Sequence, residues 1–363
     1  MRVSYIGERG SDLEQKFSLN TREAEYNYVT RTKLAPPSNR DLLRRNPNWN
    51  IANAVNRTGY SNTHSGQLEL ERRFSNGLAF QWFYVFTSSL TTTDSGGFTS
   101  GNTAINQRSG DDGRQAPENI QLFGAPNLSY DQRLRLVYFR STEIPPHRIR
   151  YNAIVDLPFG RGKKLGGNVP GFINQVIGGW QVAAIGDWRS GLRMSAASGL
   201  YQFGDLRINA DERPEMTIFG LRQRLWFRGD FNPASATNLS GGNLTALIPL
   251  DRSQRVARPL GPNFNNQIPL TLANGTVRNT LIVELYNYSP RANFLGPGAW
   301  NADVSLFKNF KFLEQGNVRF TADFFNLFNH PNDVAPNTTT GLQNLGVQAN
   351  GPRTIQLSLR IEW

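Results

Sequence analysis

The sequence predicts an all-β, antiparallel fold in which each strand carries one apolar and one polar face. Two observations lead there: eight separate stretches alternate apolar and polar residues with period two, and the connections between them are short and long in a fixed order. The composition agrees. With 34 Gly, 20 Pro, 11% aromatic residues and only 38% hydrophobic residues, the chain suits strands joined by long polar connections better than a helical bundle.

Alternation is cleanest at the carboxyl end. Ile355, Leu357, Leu359, Ile361 and Trp363 alternate with Gln356, Ser358, Arg360 and Glu362, so a strand here has one wholly apolar face and one wholly polar face. Upstream, Val318, Phe320, Ala322 and Phe324 alternate with Arg319, Thr321 and Asp323. Trp300, Ala302, Val304 and Leu306 alternate with Asn301, Asp303 and Ser305. Ile149, Tyr151, Ala153, Val155 and Leu157 form another apolar face, although Ile154 breaks the polar one. Leu68, Leu70 and Phe74 mark a further strand, followed by Leu78, Phe80, Trp82, Tyr84 and Phe86. Trp180, Val182, Ala184 and Trp188 mark one more, and Val3 with Tyr5 a short first strand.

The connections separate a membrane barrel from a soluble sandwich. Ser75–Gly77 is a tight hairpin, Phe310–Gly316 closes a second, and Pro158–Gly178 is of middle length. Between these pairs lie Glu8–Thr63, Leu90–His147, Leu192–Ala299 and Leu327–Arg353, each roughly 25 to 110 residues against a usual median of about 4 to 6. Outer-membrane barrels have short periplasmic turns and long extracellular loops. If Trp363 ends at the periplasmic side, every short connection falls on that side, and Phe74, Trp180, Trp188, Trp300 and Trp363 sit where interfacial aromatic girdles occur. The fold class is therefore an antiparallel outer-membrane β-barrel, partial and open, of about 8 to 12 strands. The long segments also suggest strand extensions at Gly204–Ile208, Leu221–Phe227 and Arg133–Phe139. A soluble β-sandwich shares the alternation but rarely carries four loops of this size.

Several function classes find no support. No apolar run is long enough for a membrane-spanning helix, and the amino terminus lacks the regions of a secretory signal. Cysteine is absent, and His64, His147 and His330 are far apart, so no local metal motif exists. The net charge of +11 raises nucleic acid as a partner, but the arginines are dispersed and no basic helix stands out. GRGKKLGG at Gly160 lacks the phosphate-loop spacing and reads as a basic periplasmic connection. Asp94, Asp111 and Asp112 could offer oxygen ligands to calcium but lack the regular spacing of a calcium loop. No spacing supports a catalytic triad, a carboxylate pair or a zinc helix, so no enzyme and no cofactor is expected, and His330 before Pro331 reads as a turn residue.

The matching stretches VSYIGERGSDL from Val3, NTHSGQLELERRFSNGLAFQWFYVFTSSL from Asn62, IPPHRIRYNAIVDLPFGRGKKLGG from Ile144, GGWQVAAIGDWRSG from Gly178, and GPGAWNADVSLFKNFKF through RFTADFFNLFNHPN to the end carry a resemblance. They resemble the barrel of TonB-dependent receptors of the Oar-like type, in which a carboxypeptidase-regulatory-like domain and a plug precede the barrel. The fit is weakest from Leu192 to Pro290.

The resemblance implies a complete barrel larger than this chain, with a plug inside and energy coupled from the inner membrane through an amino-terminal box. Residues 1–363 then form a single barrel segment, the carboxyl-terminal portion of a larger receptor, with plug and signal peptide absent. Expected partners are the outer-membrane bilayer, the barrel assembly machinery, TonB through the missing amino-terminal region, and an unidentified ligand for uptake or export. Arg319, Asp323, Arg360 and Glu362 are candidates for the lumen-facing side, where opposite charges can pair across strands. Leu357, Leu359, Ile361 and Trp363 are candidates for the assembly signal read from a free strand edge. Two rivals remain open: a structural or adhesive outer-membrane surface protein, and a soluble glycan-binding β-protein.

Overall fold

The computed structural model describes residues 1–18, 20, 23, 25–50, 53–92, 132, 138–196, 201–218, 220–230, 255–259, 261, 267–281, 294–312 and 316–362. The proposed extension at Arg133–Phe139 lies largely outside these residues, as do Asp94, Asp111, Asp112 and Trp363.

One antiparallel sheet organises the chain. Its strands run in sequence order as neighbours: β1 (Arg2–Ser18), β2 (Asn53–Ser75), β3 (Leu78–Thr91), β4 (His147–Asp156), β5 (Trp180–Arg189), β6 (Ala299–Phe312), β7 (Gly316–Phe325) and β8 (Thr354–Glu362). A two-residue strand, Phe139–Arg140, adds to the end of β3. These eight are the strands the alternation marks, and each pairs with the next in sequence. Among the described residues β1 and β8 are edges, so the sheet does not close on itself.

Register confirms that the alternation is a single continuous face. One row runs Leu357, Ala322, Leu306, Val182, Val155 and Leu78 across six strands, and the next runs Ile355, Phe324, Val304, Ala184, Ala153 and Phe80. The first row begins inside β8 and ends on the first residue of β3. That stagger is what a tilted barrel wall requires.

The turn between β2 and β3 explains the tightest connection. Asn76 and Gly77 have φ of 54° and 76°, the pair of positive angles of a two-residue hairpin whose twist matches the strands. A side chain at Gly77 would also approach Asp156 to within 3.0 Å. On the apolar face, Tyr151 lies over Gly186, its strand neighbour, where an added Cβ would stand 2.2 Å from the ring. Gly186→Val is expected to displace Tyr151 and cost about 1–3 kcal/mol. Urea unfolding of the chain in bilayers would show no change if the ring had room to move.

All described short connections, and the first and last strand termini, lie at one end of the sheet; the long connections leave from the other. The long connections hold the buried core. Leu206, Trp226, Phe227, Ala257 and Phe294 form one cluster, and Ile218, Leu225 and Leu342 a second. Short pairings frame them: Arg193–Met194 with Phe294–Leu295, Tyr201–Gln202 with Ala257–Arg258, and Glu215–Ile218 with Leu221–Leu225 and Leu342–Asn344. Residues from the β5–β6 and β7–β8 connections thus build one head, tied further by Trp226 N donating to Gly341 O and Asp230 N to Thr339 O, both at 2.8 Å.

The structure refines the sequence expectations in four places. The first strand is 17 residues long rather than short. Leu221–Leu225 is a strand, but in the head and not the sheet. Gly204–Ile208 forms no strand; Arg207 makes a lone bridge to Phe227. The Pro158–Gly178 connection contains a helix, α2 (Gly171–Ile177); α1 (Glu25–Thr32) lies in the first long connection. There Glu25 pairs with Arg278 at 3.0 Å, joining that connection to the hairpin Gln267–Thr271 and Val277–Leu281.

Burial separates the two halves of the molecule. Phe227 and Leu206 are 0% exposed in the head, whereas Leu357 and Leu359 on β8 are 67% and 64% exposed. Exposed apolar surface on this scale marks a membrane or protein contact. No described helix is long and apolar enough to cross a membrane.

Candidate functional site: the polar face of the sheet

Opposite the apolar rows, the sheet carries charged and amide side chains, and they converge between β4 and β5. Register sets Arg150 opposite Asp187 and Arg148 opposite Arg189. Arg148 donates twice to Asp187 Oδ2, at 2.9 and 2.6 Å, and Arg150 Nε donates to the same oxygen at 2.8 Å. Two guanidiniums therefore share one carboxylate, with a third cation, Arg189, on the adjoining pair. Such a cluster keeps net positive charge and planar donor geometry for an anion.

Two cavities flank this cluster. One of about 330 Å³ is lined by Phe83, Arg150, Asn152, Ile185, Asp187, Asn301 and Asp303, with Tyr151 and Gly186. The other, about 290 Å³, lies between Phe83, Val85, Thr87, Ile144, Pro145, Arg148 and Arg150, toward the loop-bearing end. Arg150 borders both. The spaces are small-ligand sized, apolar on Phe83 and Ile185 and polar on the arginines and amides.

The sequence candidates Arg319, Asp323, Arg360 and Glu362 all fall on this polar face, but away from the cluster. In register Arg319 meets Arg360 and Asp323 meets Gln356, so the expected cross-strand charge pairs do not form. Arg360 instead pairs with Glu362 on its own strand at 2.8 Å, Glu362 also accepts from Asn317, and Arg319 stacks over Phe307 at 4.5 Å. Alternating charges on neighbouring strands do not by themselves fix which pairs meet. Leu357, Leu359 and Ile361 line the apolar face of the β8 edge. The Arg148–Arg150–Asp187 group went unnoticed in the sequence, although antiparallel pairing of β4 with β5 would have set Arg150 against Asp187.

The apolar face ends in aromatic residues toward the loops. Tyr84 and His147 share a hydrogen bond of 2.8 Å, and His330 stacks on Trp300 with ring centres 4.3 Å apart. His330 is also a turn residue: its N–H donates to Asn326 Oδ1, and Asn326 and Asn329 take positive φ of 52° and 49°. Asp303 Oδ1 accepts from Asn326 N and from Asn301 Nδ2, which fixes the exit of β7 against β6. The NLFNHPN stretch is thus a hydrogen-bonded strand exit.

Charges in the head brace loop against loop. Arg224 bridges Glu215 at 2.7 Å and Asp333 at 3.4 Å, and Arg213 lies 3.6 Å over the Trp226 ring. Hydrogen bonds from the Arg207 side chain and backbone hold the Asp205 carboxyl down at about 2. Burial pushes Asp230 above the usual carboxylate range, with Arg255 opposing. No group of side chains suited to a metal occurs among the described residues.

No curated protein matches the chain. Among solved structures, the outer membrane transporter YddB of Escherichia coli is similar over 99% of this chain and 29% of that one, at 12% identity and a TM-score of 0.38. The chain spans less than a third of that transporter's length. The family model for the outer membrane beta barrel domain matches residues 1–356. Two-faced strands, aromatic ends and nearly complete coverage by that model lead to one conclusion: the chain belongs to the outer membrane beta barrel domain family, and its place is the outer membrane.

Proposed function

We propose that the chain is a barrel segment of a TonB-dependent receptor of the Oar-like type, carrying a bulky ligand across the outer membrane, and that it has no enzymatic activity of its own. In this reading the apolar rows face lipid, the polar face lines the lumen, and the turn-bearing end is periplasmic. The observation that carries it is the polar face itself. A surface adhesin needs no converging cations behind its wall, whereas a transport path uses them to hold and pass anionic groups of a ligand or plug.

The reading predicts a plug and a short TonB-binding box encoded upstream in the same reading frame. Sequencing the complete gene tests it, and a frame lacking both favours the structural or adhesive protein. The cluster is tested separately, with citrate as the probe and calorimetry on the refolded chain. Asp187→Asn releases both guanidiniums and is expected to tighten citrate binding several-fold, while Arg150→Ala weakens it. Equal affinities in all three proteins would reduce the cluster to a structural ion pair. Little stability is at stake, since Arg150 and Asp187 are partly exposed.

A further inference from the structure

The connection from β4 to β5 carries features that neither a simple turn nor the transport path explains. We infer that residues 158–179 form a membrane anchor that binds anionic phospholipid headgroups at the turn-bearing rim of the sheet. The inference rests on the apolar face being lipid-facing.

Placement comes first. Lys308 stands in an apolar row, opposite Phe320 and Trp180, yet it is only 3% exposed. Its ammonium donates to the carbonyls of Gln175 and Val176, the latter at 3.2 Å, and lies near the Trp180 and Phe310 rings. Trp180 Nε1 donates to Val176 O at 2.8 Å. Two donors from the apolar face thus clamp the last turn of α2, where carbonyls lack helical partners and favour a cation. A seven-residue helix is too short to persist alone, so this clamp and its own loop must hold it. Asn174 supplies the second tie, its Oδ1 accepting the Arg161 N–H at 2.6 Å.

What the clamp leaves outward is apolar and basic. Phe172 and Val176, one helical turn apart, are 74% and 66% exposed, and Phe159 and Leu165 are also exposed. The segment carries Arg161, Lys163 and Lys164 and no acidic residue. Lys163 reaches Asp156 at 3.7 Å, while Arg161 and Lys164 are exposed. An apolar and cationic surface tied to the membrane face matches the chemistry of an anionic lipid interface. A water-facing periplasmic protein would instead meet this segment away from the sheet's lipid contact.

The chain has no cysteine, so a single Gln175→Cys change accepts one fluorescent label and leaves Phe172 and Val176 in place. The full chain is refolded into phosphatidylcholine vesicles with or without phosphatidylglycerol and exposed to spin-labelled quencher lipids. Leu359→Cys and Ser358→Cys serve as references for lipid and lumen. The label at 175 is expected to be quenched nearly as well as that at 359, more so with phosphatidylglycerol. Arg161→Glu with Lys164→Glu lowers the quenching by roughly threefold, and Phe172→Asp with Val176→Asp abolishes it. A label at 175 in water while that at 359 is in lipid overturns the anchor alone. Quenching indifferent to charge reversal overturns headgroup binding. If 359 is also in water, the lipid-facing reading falls and the anchor with it.

Discussion

Leu359→Arg is expected to destabilise the sheet in a bilayer by about 2–4 kcal/mol, the cost of an arginine at mid-membrane on the lipid side of a barrel strand. Leu359 lies near the middle of β8, paired with Phe320, and is 64% exposed in the isolated chain. In water that exposure would make the substitution nearly neutral or favourable. In lipid it removes an apolar contact and forces a guanidinium to snorkel toward an interface. Ser358→Arg is the matched control, since Ser358 pairs with Thr321 on the opposite face. Its expected cost is within about 0.5 kcal/mol. Reversible urea unfolding in vesicles measures both, and equal costs would mean that the faces are assigned wrongly.

Phe227→Ala is expected to cost about 3–5 kcal/mol, and to spend that loss in the head. Phe227 is 0% exposed, packs in a tilted pair against Phe294 with ring centres 4.3 Å apart, and shares its cluster with Leu206 and Ala257. The neighbouring backbone cannot close the space, because Arg228 N donates to Leu206 O and Trp226 N to Gly341 O. The sheet draws its order from strand pairing and membrane contact, so it should survive. Hydrogen exchange distinguishes the cases: protection lost at Leu206, Leu225 and Leu342 but kept along β5 to β8 supports separate stability. Loss through the whole chain would show that head and sheet unfold together.

The sheet was legible in the sequence because lipid imposes a rule on alternate residues of every crossing strand. Where that rule lapses, legibility ends. After Ile6 the first strand continues through GERGSDLEQKFS with no apolar row, held by backbone pairing to β2, and the alternation marked only its beginning. The head was hidden for a related reason. Its core joins Leu206, Phe227, Phe294 and Leu342 from distant positions, and its strands of two to five residues are too short for a period to emerge.

The site was partly legible. Period two placed Arg319, Asp323, Arg360 and Glu362 on one face, but their pairing depends on register, which sets Arg319 against Arg360. The Arg148–Arg150–Asp187 cluster needs the strand neighbour as well as the strand. Lys308 in an apolar row looks like an exception until α2 supplies the carbonyls that receive it.

The central claim is that one face of this sheet meets lipid and the other does not. Its most direct test is a single-cysteine scan from Ile355 to Ile361 in the full chain, each site labelled and read by lipid-borne quenchers after refolding into vesicles. The account predicts strong quenching at Ile355, Leu357, Leu359 and Ile361 and weak quenching at Gln356, Ser358 and Arg360. Uniform quenching along the strand, or the inverse alternation, would contradict it.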